Sequence, residues 1–120
     1  MRVLCADDEE DIRTILALAL SLDGGIEAEF VENGERVIAR AREGWDAFLL
    51  DGMMPGIDGY EACRLLKADP VTAPIPVVFL TAKTSRDEVA QALALGAIGS
   101  LPKPFDPLAL AGDLRRLLGR

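Results

Sequence analysis

Five side chains with the chemistry to handle metal and phosphate recur at comparable places in the sequence: Asp7, Asp8, Asp51, Thr81 and Lys103. Asp51 sits within FLLDGMMPGIDG, where an apolar run over residues 47–50 stops at the carboxylate and a turn rich in Gly and Pro follows. An apolar run bounded by turn signals reads as a buried strand. The acid then stands at the C-terminal end of that strand, the edge where open α/β sheets bind ligands. Taken alone, Asp51 fits a nucleophile, a metal ligand or a turn cap, because Asp before Gly is common in turns. Residues 7–11 (DDEED) taken alone fit an acidic helix start that complements the helix dipole. Thr81 alone reads as an ordinary strand-end hydroxyl, and Lys103 alone as a solvated lysine.

Their convergence changes that reading. Residues 2–6, 26–31, 47–51, 75–81 and 98–101 read as strands, alternating with helical patterns. The first helix carries Ile12, Ile15, Leu16, Ala19 and Leu20 at helical spacing. Asn33-Gly34 could turn a hairpin, but Val37, Ile38 and Ala41 follow at helical spacing, so the pair reads as a helix entry. Asp58 with Glu61, and Ser85 with Glu88, have the spacing of capping boxes. Further helical stripes carry Ala62, Leu65 and Leu66; Val89, Ala92 and Leu93; and Leu110, Leu114, Leu117 and Leu118. Strict alternation predicts an α/β, doubly wound, flavodoxin-like parallel sheet of five strands in order 2-1-3-4-5 with five helices. In that order Asp7 and Asp8 lie beside Asp51, Thr81 lies one strand away at about 5 Å, and Lys103 two strands away at about 10 Å.

Three gathered carboxylates repel unless a cation joins them, and Mg²⁺ suits a site with carboxylates and room for phosphate oxygens. Aspartate carboxylates act as covalent nucleophiles. Asp51 is therefore placed to receive a phosphoryl group, with Mg²⁺, the Lys103 ammonium and the Thr81 hydroxyl each stabilising part of its charge.

Composition bounds the alternatives. The chain has 120 residues, half of them hydrophobic, which suits one domain. No apolar run approaches the roughly 18 residues of a membrane span. The start, MRVLCADDEE, lacks a signal-peptide pattern, and Cys5 and Cys63 read as small buried hydrophobes, so a cytoplasmic setting is expected. A net charge of −7 argues against direct nucleic-acid binding. The absence of His removes His-based acid–base catalysis and most zinc sites.

The motifs LCADDEEDIR, FLLDGMMPGIDGYE, VVFLTAK and GAIGSLPKPF, in this order and spacing, resemble the receiver domain of a bacterial two-component response regulator across essentially the whole chain. The resemblance implies that Asp51 is the phosphoacceptor and that Asp7 and Asp8 hold Mg²⁺ with Asp51 and the backbone carbonyl of Met53. It implies that Thr81 is the switch hydroxyl, that Lys103 is the family's lysine, and that Pro104 follows it in cis. Its phosphoryl donor would be a histidine kinase or a histidine phosphotransfer protein, with no enzymatic turnover beyond its own phosphorylation and dephosphorylation. Ser100 departs from the pattern, since the family usually has Tyr or Phe three residues before the lysine, and Gly99 precedes it where Asp is frequent. Readout is therefore expected through Ala82, Lys83 and the adjoining loop, with Ser100 leaving a shallow pocket. The expected arrangement is a single receiver domain over residues 1–120, without an output domain. The rival is a phosphatase of the dehalogenase type, which also uses a strand-end Asp and Mg²⁺, but it needs a second Asp where Met53 stands. A flavodoxin-like cofactor binder would need a phosphate-cradling loop where residues 7–11 are all acidic.

Overall fold

Strands and helices alternate from end to end in the computed structural model, which describes residues 1–82 and 86–120. The elements are β1 (Arg2–Ala6), α1 (Glu10–Ser21), β2 (Glu27–Val31), α2 (Gly34–Arg40), β3 (Ala47–Asp51), α3 (Gly59–Ala68), β4 (Val77–Thr81), α4 (Arg86–Ala94), β5 (Gly99–Pro102) and α5 (Leu110–Leu118). All neighbouring strands pair in parallel, in the order β2-β1-β3-β4-β5. Crossover helices on both faces bury the central strands completely, and every residue of β3 and β4 is buried.

Because side chains alternate along a strand, the sheet feeds two cores. Leu4, Phe48, Leu50, Val77 and Phe79 pack toward α2, α3 and α4. Val3, Cys5, Leu49, Val78 and Leu80 pack toward α1 and α5. Both cysteines are buried and free, and burial pushes both thiols up.

Local chemistry sets the element boundaries. Asn33 caps α2 by accepting the Arg36 N–H at 2.9 Å, so the Asn-Gly pair opens a helix. Asp58 caps α3 through the Glu61 N–H at 2.8 Å, but the Glu61 carboxylate turns to Arg64 at 2.9 Å, so only half of that capping box forms. The Ser85 cap lies outside the described residues. β4 begins at Val77 instead of residue 75, because Pro76 has no N–H to offer the ladder, although its carbonyl accepts the Phe48 N–H at 3.0 Å. Two helical positions assigned to the core face outward: Ile15 is 40% exposed and Leu93 49%. Leu16 and Ala92, their neighbours on the same stripes, are buried as expected.

Candidate phosphoacceptor and metal site

The register of β1 with β3 pairs Ala6 with Leu50, so Asp7 and Asp51 emerge side by side at the C-terminal edge of the sheet. Asp7 is fully buried, Asp51 is 5% exposed, and Asp8 faces solvent. Their carboxylate oxygens, one from each, all lie within 4.8 Å of one another. Glycine makes this edge possible: a methyl group on Gly59 would stand 2.1 Å from the Asp51 carbonyl oxygen. The start of α3 thus closes directly on the end of β3, and the Gly59 N–H donates to the Gly52 carbonyl at 3.2 Å.

Lys103 arrives from the far side. Thr81 pairs with Pro102 in register, and the Lys103 N–H donates to the Thr81 carbonyl at 3.0 Å. The Lys103–Pro104 peptide is cis. The lysine stem crosses in front of β4, and Nζ lies 2.5 Å from Asp7 Oδ2 and 3.3 Å from Asp51 Oδ2. The ammonium sits closer to Asp7, the more deeply buried of the two acids and the one whose unpaired charge would cost more. The other oxygens take backbone donors: Glu9 N–H on Asp7 Oδ1 at 2.9 Å, and Met53 N–H on Asp51 Oδ1 at 3.1 Å.

Burial pushes the Asp51 carboxyl up to about 6; the Met53 N–H draws it down, the Asp7 charge raises it, and Lys103 lowers it again. Burial alone would lower the Lys103 ammonium, but Asp7 and Asp51 outweigh it and hold the group above its usual range. The carboxylates thus exceed the positive charge that meets them. This all-oxygen donor set, part buried and part open, fits a hard divalent cation such as Mg²⁺.

Thr81 ends β4 and is buried, while Ala82 beside it is exposed. Lys83 lies outside the described residues. Ser100 is half-buried in β5 and pairs in register with Phe79. The ring that covers Phe79 comes from Tyr60 on α3, stacked with centroids 4.9 Å apart. Sequence reasoning gave Tyr60 no role, although it lies inside the quoted DGYE stretch. A cleft of about 350 Å³ on the β2 edge, lined by Arg13, Phe30, Val31, Glu32, Arg36 and Arg40, lies apart from the acidic cluster. Arg36 and Arg40 in that cleft already pair with glutamates.

A parallel sheet in this order with these acids at its edge defines a receiver domain of two-component signalling. The chain belongs to that family: residues 3–115 match the family model described as response regulator receiver domain. It is 40% identical over 120 residues to the phosphate regulon transcriptional regulatory protein PhoB of Pseudomonas aeruginosa, covering 98% of this chain and 52% of that protein. It is 38% identical over 116 residues to the response regulator PleD of Caulobacter vibrioides, covering 97% of this chain and 26% of that one. The chain therefore spans about half, or less, of the length of these relatives. Among solved structures, the chemotaxis response regulator CheY4 of Vibrio cholerae superposes with a TM-score of 0.88 at 32% identity, covering 97% of each chain. The receiver domain of a signal transduction histidine kinase from Syntrophus aciditrophicus gives 0.83 at 32% identity, covering 98% of this chain and 89% of that one. Among the described residues no helix is long and apolar enough to cross a membrane.

Proposed function

We propose that this receiver domain is a phosphoacceptor switch in which Asp51 takes a phosphoryl group from the phosphohistidine of a histidine kinase or phosphotransfer protein. The carrying observation is the buried Asp51 carboxylate, oriented by the Met53 N–H at 3.1 Å and set among Asp7, Asp8 and Lys103. An Asp51 oxygen forms the new P–O bond as the donor's P–N bond breaks, and the imidazole leaves with the electron pair. Bound Mg²⁺, held by Asp7, Asp8, Asp51 and the Met53 carbonyl, would neutralise the crowded carboxylates and part of the phosphoryl charge. Lys103 supplies a second positive charge from a position fixed by the backbone bond to Thr81. The Thr81 hydroxyl turns toward the phosphoryl oxygens, and the surface around α4, β5 and α5 changes its affinity for partners. With a net charge of −7, the domain acts through protein partners and not through direct contact with nucleic acid. Its expected setting is the cytoplasm.

Acetyl phosphate with Mg²⁺ should add one phosphoryl group to the wild-type chain, read by intact mass, and none to Asp51→Asn. A mass increase that persists in Asp51→Asn rejects the assignment.

A further inference from the structure

The aromatic ring on the Thr81 face of β4 comes from α3 instead of β5. Tyr60, the only tyrosine in the chain, is half-buried near the start of that helix. Its ring lies along β4 on Phe79, with the planes at 26°. A methyl group on Gly52 would stand 3.1 Å from both Cε2 and Oη of Tyr60. The phenol hydroxyl is thus pressed against the backbone of the residue that follows Asp51, and the lack of a side chain at Gly52 leaves room for it. Thr81 and Glu88 also act on that hydroxyl. Burial and the Glu88 charge raise the phenol, and Thr81 as a hydrogen-bonding partner pulls it down. Tyr60 therefore lies along β4 beside the end of β3, and its phenol feels the Glu88 charge on α4. Ser100, the register partner of Phe79, contributes no ring there.

This arrangement gives the Thr81 hydroxyl two competing claimants, the phenol oxygen and a phosphoryl oxygen on Asp51. We propose that Tyr60 is the positioning residue of the switch: its hydroxyl engages Thr81 in the unmodified chain, is released when Thr81 turns to the phosphoryl group, and carries the change to Glu88 on α4. The proposal rests on the phosphoacceptor reading above. Strand β5 needs no aromatic for this device, because the ring that carries the hydroxyl belongs to α3.

The test compares wild type, Tyr60→Phe and Tyr60→Leu in the full chain with Mg²⁺. The readouts are the rate of modification by acetyl phosphate, beryllofluoride affinity by titration calorimetry, and Mg²⁺ affinity. Tyr60→Phe keeps the stack on Phe79 and removes only the hydroxyl. It should raise the modification rate and the beryllofluoride affinity roughly two- to tenfold, the worth of one hydrogen bond, with Mg²⁺ affinity unchanged. In a Thr81→Ala background the same substitution should change neither. A role in ring packing alone would appear in Tyr60→Leu and not in Tyr60→Phe. Tyr60→Phe equal to or slower than wild type, or an equal gain without the Thr81 hydroxyl, overturns the assignment. Wild type that accepts neither phosphoryl group nor beryllofluoride overturns the phosphoacceptor reading and this role with it. Normal wild-type modification with a silent Tyr60→Phe overturns the Tyr60 role alone.

Discussion

The two edges of the sheet treat the same residue type in opposite ways. At the N-terminal edge Asp23 and Asp46 each meet a cation. Asp23 accepts two bonds from Arg115, at 2.5 and 3.1 Å, which tie the end of α1 to α5. Asp46 accepts the Arg2 N–H at 2.7 Å and pairs with Arg120 at 3.3 Å. The Arg2 guanidinium also lies 4.3 Å over the Trp45 ring. At the C-terminal edge Asp7, Asp8 and Asp51 crowd together, with Lys103 bridging two of them. The Arg115 hydrogen bonds draw the Asp23 carboxyl down to about 2. Burial, with the Asp7 charge adding, drives Asp51 up to about 6. One edge spends its charges on holding the fold together; the other keeps an excess of negative charge that a bound cation would offset.

The contrast is broken most directly by removing one acid from each edge. Without Mg²⁺ at pH 7.5, Asp51→Asn should stabilise the fold by on the order of 2 kcal/mol, because it deletes a charge that folding buries at a cost. The sign follows from linkage. The folded carboxyl titrates near 6 against an ordinary 3.8, so its ionisation costs stability as pH rises from about 4 to about 6. Urea midpoints of the two proteins should therefore converge near pH 4 and separate fully above about pH 7. A gap that persists at pH 4 would trace to packing and not to charge.

A smaller effect comes from neutralising the excess instead of deleting it. Raising Mg²⁺ to tenfold above its dissociation constant should stabilise wild type by about 1.4 kcal/mol relative to EDTA. Thermal melts of Asp8→Ala should lose most of that gain, and an undiminished gain would move the cation away from the clustered acids.

The smallest effect belongs to the satisfied edge. Asp23→Asn should lower the midpoint slightly, since an exposed ion pair contributes little. Its pH dependence runs the other way. Asp23 titrates near 2 in the fold, so its contribution is present above about pH 4 and lost as pH falls through 2. Melts of Asp23→Asn should merge with wild type at the acid end of that window, and a loss that grows below pH 4 would contradict the pairing.

The neighbouring places of the acids, Thr81 and Lys103 at one sheet edge were legible in the sequence for one reason. Each interrupts an apolar run at a strand end, and alternation of strands and helices then dictates which ends are neighbours. The doubly wound order followed from the same pattern. What escaped depends on packing between elements. Ile15 and Leu93 share a helical spacing with core residues, yet they stand at the exposed margin of the buried faces of α1 and α4, which spacing alone does not mark. The closer approach of Lys103 to Asp7 than to Asp51 reflects burial depth, which a strand count does not carry. Tyr60 gained its significance from the meeting of α3, β4 and the glycine after Asp51, residues with no periodic signature in common.

The contact between Lys103 and Asp7 joins residues 96 positions apart in the chain. A ribosome releases the acids long before it makes the lysine that offsets them. Until the last strand docks, the edge is a set of like charges with no ammonium to draw them together, and long-range closures of this kind cost the most loop entropy. The ion-paired edge therefore forms late in synthesis, after the final strand is in place. A half-made or half-unfolded chain lacks the ammonium that bridges Asp7 and Asp51, so the same lysine marks the completed sheet.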